Sequence, residues 1–368
     1  MIHLGKSLEA LARLIRPLVG PDYRRAYSAM TARGLSQRLP GEPLVCCDFA
    51  DPKIDSVGGR YYFSLVRDLI DAGYFPVFTE HRATLSTFGP SRMKSQLLER
   101  RLGTVKSVHE IAEPFLLITD SGASPERATA IVRVSYERRI PSAPGEIAFP
   151  VFVHPRIAGR LPFHYEIATA RPARIFFGGN TAEDKYDKDV IGEVYSMLTR
   201  REMLETAVLQ GGPENVHRPA DAMEWLGSGD AHPFVLIETR RTKIPATHWL
   251  EALSRADFFL ACPGVGMPLC HNLVEAMAAG AIPVLQYADY LDPPLRHGVN
   301  CLAFHDAESL RQAISRALAM ADDEIRALRQ GVMTYYHDQL APGAFARRLS
   351  GGGPADKTLL LNSYRVPR

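Results

Sequence analysis

The chain has 368 residues, of which 46% are hydrophobic and 23% charged, and its net charge is +2. That length and apolar fraction suit two globular domains with separate cores, and the near-neutral charge excludes wholesale nucleic-acid binding. No apolar run reaches the ~18 residues of a membrane span. The five cysteines (Cys46, Cys47, Cys262, Cys270, Cys301) show no paired metal spacing and fit a reducing, cytoplasmic setting.

Residues 1–40 form a basic segment with helical patterning. Lys6, Arg13, Arg16, Arg24, Arg25, Arg33 and Arg38 face only Glu9 and Asp22, and Leu4, Leu8, Leu11, Leu14, Ile15 and Leu18 make one apolar stripe. Glu9, Arg13 and Arg16 interrupt that stripe, which rules out a secretory leader. Such a helix either packs on a domain with its basic face solvated, or lies through residues 1–20 on the inner, anionic face of a membrane.

Pro43–Phe49 is the first expected strand. Gly58-Gly59 opens a helix through Tyr62, Leu65, Val66, Leu69 and Ile70 that stops at Gly73, and Phe75–Thr79 is the next strand. Strand, glycine turn, helix and strand make a βαβ unit of a parallel sheet. Met93–Ser107 reads as a charged helix. Pro114–Thr119, Ala130–Ser135 and Phe149–Val153 read as strands, and Pro155–Pro172 reads as an interdomain linker. The first domain is thereby expected at 41–165.

Arg174–Asn180 is a strand ending in Gly178-Gly179-Asn180. Glu205–Leu209 and Pro233–Glu238 are further strand candidates, Leu198–Arg201 is read as the end of a helix, and Thr247–Arg255 as a helix with Thr247 as its cap. Asp257–Cys262 is a short apolar strand broken by Pro263-Gly264-Val265-Gly266. A helix from about His271 to Ala279 ends at Gly280, and Ile282–Leu285 follows as a strand. A strand feeding a glycine loop and a helix start presents unpaired N–H groups and a helix dipole to an anion such as a phosphate. Ser309–Met320 and Asp323–Tyr336 are helices. A second domain is expected at 170–340, and residues 341–368 read as a tail.

Asn272-Leu-Val-Glu275-Ala-Met-Ala-Ala-Gly280-Ala-Ile-Pro283-Val284 resembles the nucleotide-sugar motif of GT-B glycosyltransferases. Gly178-Gly179-Asn180, with Tyr186 and the Leu198-Thr-Arg-Arg run, looks closest to the exostosin-like branch, and the Leu295–Phe304 segment resembles the family's segment after the motif. The resemblance covers 174–340 and, more loosely, 43–80. It implies an α/β fold of two facing Rossmann-like domains, with parallel sheets flanked by helices, the nucleotide-sugar donor in the second and the acceptor in the first. It further implies that Glu275 holds the donor ribose, although a solvated helical glutamate would read the same way. Many retaining members carry a first Glu eight residues earlier, and that position here is Met267.

Other candidates follow from position. Arg240 and Lys243 stand after a predicted strand, where open α/β sheets bind ligands, and could neutralise a departing diphosphate or form a solvated loop. A base for the acceptor hydroxyl would come from Asp51, Glu80, His81 or Asp120, each of which follows a first-domain strand. His154, His164 and His271 are candidates for donor contacts only, and Arg200-Arg201 ranks below Arg240 and Lys243. No Asp-x-Asp stands in a loop after a predicted strand, so no essential metal and no other cofactor is expected beyond the donor itself. The resulting expectation is sugar transfer from a nucleoside diphosphate to a glycan or glycolipid, in surface polysaccharide synthesis, with Gly178, Gly179, Asn180, Arg240, Lys243, Gly264, Gly266, Asn272 and Glu275 on the donor. A GT-B-shaped nucleotide-sugar epimerase and a non-catalytic nucleotide-sugar or glycan binding module remain as alternatives.

Overall fold

The computed structural model describes residues 20–137, 139–141, 143–182, 190–351 and 356–361. The stripe in residues 1–19, Tyr186 and most of the Gly351–Pro354 run lie outside them. The fold is α/β, with two parallel sheets flanked by helices. One unit holds the residues up to Phe149 together with a segment from Pro342, and the other runs from Pro150 to Ala341.

The first unit contains β1 (Leu44–Asp48), β2 (Phe75–Thr79), β3 (Gly103–Val105), β4 (Phe115–Thr119), β5 (Ala128–Ser135) and β6 (Glu146–Ala148). Every residue of β1, β2 and β4 is buried, as expected for parallel strands covered on both faces. Around them lie α1 (Pro21–Thr31), α2 (Ser56–Asp71) and the single turn α3 (Arg82–Leu85). Helix α2 buries Tyr62, Leu65, Val66 and Leu69, the stripe expected from sequence. At its start Gly58 and Gly59 both have positive φ, and a Cβ on Gly59 would lie 2.9 Å from Lys94 Cγ. Only glycine fits that turn without moving Lys94, whose ammonium is fixed by Asp55, Thr87 and the Thr84 carbonyl.

The second unit contains β7 (Ala173–Gly179), β8 (Val216–His217), β9 (His232–Glu238), β10 (Ala256–Leu260), β11 (Ile282–Leu285) and β12 (Leu302–Ala303). Its sheet order is β12-β11-β10-β7-β9-β8. Its helices are α4 (Pro155–Ala158), α5 (Arg200–Gly211), α6 (Ala222–Gly227), α7 (Trp249–Ser254), α8 (His271–Ala278), α9 (Ala307–Ala319) and α10 (Asp322–Tyr335). Gly280 ends α8 as expected. It has φ +70°, its N–H reaches Met277 O, and Ala281 N–H reaches Ala276 O, closing a Schellman motif.

The chain then returns to the first unit. Helix α11 (Ala344–Ser350) and β13 (Asp356–Leu360) belong there, and β13 pairs in parallel with both β5 and β6. The first sheet is therefore ordered β3-β2-β1-β4-β5-β13-β6. The segment read as a tail is thus a strand inside a sheet, because Leu359 and Leu360 can bury themselves only between two partners supplied from far away in sequence. Asp68 of α2 fixes the return, accepting the N–H groups of Gly343 and Ala346 at 2.7 Å each. Burial pushes the Asp68 carboxyl up to about 7, outweighing the two N–H groups that favour its charge. A folded-state pKa above the unfolded value means that folding takes up a proton between about pH 4 and 7, so this group makes stability fall as pH rises through that window. Asp68→Asn should flatten that part of a melting-temperature profile, and an unchanged slope would remove Asp68 as its source.

Several expected elements differ. Glu205–Leu209 is not a strand but the middle of α5, which begins after Thr199. Thr199 forms a capping box with Glu202, so Leu198–Arg201 starts a helix instead of ending one. Met93–Ser107 is a 3-10 turn, Lys94–Glu99, followed by β3. Phe149–Val153 lies outside any strand, and Pro155–Pro172 is part of the second unit, the division falling at Phe149 and Pro150. The position before α7 is His248, not Thr247, and no side chain caps it.

Candidate active site

In the first sheet the chain runs from β1 outward through β2 to β3, then crosses back to β4 on the other side of β1. The carboxyl ends of β1 and β4 therefore flank a topological switch point, where open α/β sheets bind ligands. Asp48 closes β1 at that point and is 4% exposed. Its Oδ1 accepts Thr79 Oγ1 at 2.7 Å and His81 Nε2 at 2.8 Å, and its Oδ2 accepts Thr119 Oγ1 at 2.7 Å and Ser121 Oγ at 2.5 Å. Burial alone would raise the Asp48 pKa. The hydrogen bonds from His81, Ser121, Thr119 and Thr79 together overcome it and hold the carboxyl well below the usual range. An ionised carboxylate only accepts, so the proton on this contact belongs to His81 Nε2. The neutral imidazole then carries its basic lone pair on Nδ1, which has no hydrogen-bond partner among the described residues. The Asp48 hydrogen bond raises the His81 pKa above 6.5, against a smaller opposing effect of burial. The His81 side chain is 37% exposed, so solvent can reach it.

The other candidate bases also stand at this edge and are differently occupied. Asp120 accepts Ala50 N–H at 2.7 Å, Asp51 N–H at 3.1 Å and the Tyr136 hydroxyl at 2.8 Å, an arrangement that ties the loop after β1 to β4. Burial raises its pKa in spite of these bonds. Asp51 accepts its own neighbour Lys53 N–H at 2.9 Å and pairs with the Lys53 ammonium at 3.1 Å. Glu80 uses its backbone to bond Val105 O, and its carbonyl receives the Tyr27 hydroxyl. Of the four, His81 is the one whose ring is held by a buried anion.

The second sheet repeats the topology. From β7 the chain goes to β8 and β9 on one side and crosses to β10 on the other. Gly178, Gly179 and Asn180 at the end of β7, Arg240 and Lys243 after β9, and Gly264 and Gly266 after β10 consequently share one edge. Asn272 and Glu275 stand on α8 beyond it. Arg240 and Lys243 are exposed. A Cβ on Gly178 would meet the Trp249 ring at 2.9 Å, so the first glycine makes room for a side chain. Gly264 N–H is already donated to Pro268 O, so this glycine serves the turn and cannot also donate to a phosphate. No side chain caps α8. Buried Arg200 links the two loops, donating to Asn180 O at 2.7 Å and Pro263 O at 3.0 Å.

Glu275 is 1% exposed. Its Oε1 accepts His154 N–H at 2.8 Å and its Oε2 accepts Trp249 Nε1 at 2.6 Å. The His154 and His271 rings lie 5.1 Å apart beside it. A buried carboxylate that accepts from these donors stays oriented. The solvated helical glutamate considered from sequence is excluded. Met267 is buried.

Sequence reasoning missed Asp48, which looked like the last residue of an apolar strand, and Arg200, which it ranked low. The one available signal for Asp48 was a carboxylate closing an otherwise apolar parallel strand, since such burial requires partners. Nothing local marks Arg200, because its acceptors come from two distant loops. Among the described residues no three His, Cys, Asp or Glu gather to hold a metal, and no helix is long and apolar enough to cross a membrane.

No protein-family model matches the chain, and no curated protein does. Among solved structures it is similar to Anabaena HepE in complex with UDP, at 11% identity and TM-score 0.42 over 84% of this chain and 98% of that one. Trehalose-6-phosphate synthase OtsA is similar at 10% identity and TM-score 0.41 over 85% and 100% of the two chains. An α-glucosyltransferase bound to UDP and a mismatched DNA is similar at 12% identity and TM-score 0.38, over 83% and 98%.

Proposed function

We propose that the chain is a glycosyltransferase that moves a sugar from a nucleoside diphosphate to a hydroxyl of a glycan or glycolipid, in surface polysaccharide synthesis. The observation that carries this reading is the Asp48–His81 pair at the switch point of the first sheet. A neutral imidazole, oriented by a buried anion and open at Nδ1, is built to take a proton from a hydroxyl. The sequence motif around Glu275 supplies the donor half.

In this mechanism His81 Nδ1 takes the acceptor proton as the acceptor oxygen attacks the anomeric carbon. The bond from that carbon to the diphosphate oxygen breaks, its electron pair leaves with the nucleoside diphosphate, and the configuration inverts. Asp48 stabilises the imidazolium that forms. Glu275 orients the ribose, with Asn272, Gly178, Gly179, Asn180 and Gly266 around the nucleotide. Arg240 and Lys243, with the uncapped start of α8, offset charge on the diphosphate. The apolar Met267 where retaining enzymes carry a carboxylate agrees with inversion.

The test is release of nucleoside diphosphate from UDP- and GDP-sugars, with and without glycan acceptors. Acceptor-dependent release that survives EDTA is expected, since charge on the leaving group is assigned to Arg240, Lys243 and backbone dipoles. Turnover of donor alone to an epimer would overturn transfer, and so would binding without turnover across a broad acceptor panel. Loss in EDTA restored by manganese would overturn the metal-free account.

On this reading the acceptor lies at the cytoplasmic membrane surface, and the basic and apolar sequence pattern of residues 1–20 supports it. Each Lys or Arg near an anionic surface contributes about 1 kcal/mol, and salt weakens the attraction. Flotation should show binding to anionic vesicles that fades in high salt and is lost on deleting residues 1–20. No vesicle binding, with a lower melting temperature after the deletion, would show that the stripe packs on the protein instead.

A further inference from the structure

The second sheet has an opposite edge, formed by the amino ends of β7, β9 and β10, and a cavity of about 430 Å³ opens there. Catalytic and nucleotide groups of open α/β sheets gather at strand carboxyl ends, so this cavity is separate from the donor residues. Its volume falls within the range of about 300–1,000 Å³ typical of small-molecule pockets. Arg171, Arg174, Arg326 and Arg329 line it, with Asp257 and Asp322.

The charges do not balance locally. Asp257 Oδ1 pairs with Arg329 Nη2 at 2.5 Å and its Oδ2 with Arg174 Nη1 at 3.1 Å, which uses the one buried carboxylate. Asp322 is 3.9 Å from Arg174 and largely solvated, so it contributes little. Arg171 donates to the carbonyl oxygens of Ala256 and Ala279, lies 5.6 Å from the Tyr165 ring, and feels the Asp257 carboxylate only in common with Arg329 and Arg174. Burial, and then the neighbouring Arg329, push the Arg171 pKa down to about 9. Arg329 is 2% exposed, yet its Nε has no hydrogen-bond partner. Arg326 makes no hydrogen bond or ion pair among the described residues.

We propose that this cavity binds a small anion carrying a phosphate or carboxylate group, at a site distinct from the donor residues. An anion there would neutralise the excess guanidinium charge and give Arg326 a partner. Guanidinium groups suit this task because they offer paired N–H donors matched to phosphate and carboxylate oxygens. The cavity exceeds the needs of a single inorganic ion, so the fitting ligand is a phosphorylated or carboxylated metabolite of small-sugar size.

The experiment is isothermal titration of the full chain with inorganic phosphate and, separately, with citrate, each at ionic strength matched with sodium chloride. Saturable binding of either is expected, and which of the two binds tells a phosphate ligand from a carboxylate one. Arg326→Glu, a change at an exposed position, should weaken it at least tenfold, and Arg326→Ala should weaken it less. The Arg240→Ala/Lys243→Ala double variant should bind as the parent does, because its changes lie at the other edge of the sheet. Absence of saturable binding beyond the chloride control would overturn the proposal. So would binding that is lost in the Arg240→Ala/Lys243→Ala variant and kept in Arg326→Glu, which would place the anion at the donor residues.

Discussion

His81→Ala should lower kcat for sugar transfer by about 10²–10⁴-fold while leaving nucleotide affinity unchanged, because a positioned general base contributes on that scale. The pH profile tests the same assignment more sharply. The base must be neutral, so kcat/KM should rise with pH through a pKa above 6.5, in the direction set by the Asp48 hydrogen bond. Asp48→Asn removes the anion that raises that pKa, and the rising limb should move to lower pH as kcat falls. Stability follows the opposite sense. A histidine pKa raised by folding contributes stability below about pH 6.5 that is lost as pH rises through the folded value. If His81→Ala keeps full activity, or the limb stays in place in Asp48→Asn, then the pair is structural and the base lies elsewhere.

On the proposed function, Glu275→Ala should weaken nucleoside-diphosphate binding tenfold or more, since a lost charged hydrogen bond costs on the order of 1.5–3 kcal/mol. It should also lower the melting temperature, because the Trp249 indole N–H and the His154 N–H lose their acceptor inside the protein. The unpaired donors cost about 1–3 kcal/mol each. Stability loss alone therefore proves nothing about ribose. Trp249→Phe separates the two effects, as it removes one structural partner and keeps the carboxylate. Calorimetry should show the affinity loss in Glu275→Ala and a much smaller one in Trp249→Phe. A folded Glu275→Ala protein that binds the nucleotide as the parent does would reduce Glu275 to a tie between α7, α8 and the chain at His154.

Much of the local structure was readable because it depends on neighbours in sequence. The run Leu44-Val-Cys-Cys could only be a buried strand, the stripe Tyr62, Leu65, Val66 and Leu69 could only cover a sheet, and Gly280 had to end α8 where it does. Glu205–Leu209 failed for the converse reason. Thr206 and Val208 suit a strand by residue type, but the capping box of Thr199 and Glu202 starts a helix that runs through them.

The site was legible only in outline. Position after a strand put Asp51, Glu80, His81 and Asp120 at one sheet edge, and the glycine and Glu275 motif at another. It could not rank the four bases, because rank depends on what each touches. His81 gains its role from Asp48, 33 residues earlier, and Asp120 is occupied by Tyr136 and the loop at Ala50. The sequence by itself determined two α/β units and the strand ends where ligands gather, since periodicity and glycine stops are local properties. Tertiary structure alone decided that residues 356–360 return to the first sheet, that Arg200 ties two loops together, and that four arginines line one cavity with Asp257. Those outcomes rest on pairings between segments far apart in the chain, and no local pattern records which distant partner a buried group will meet.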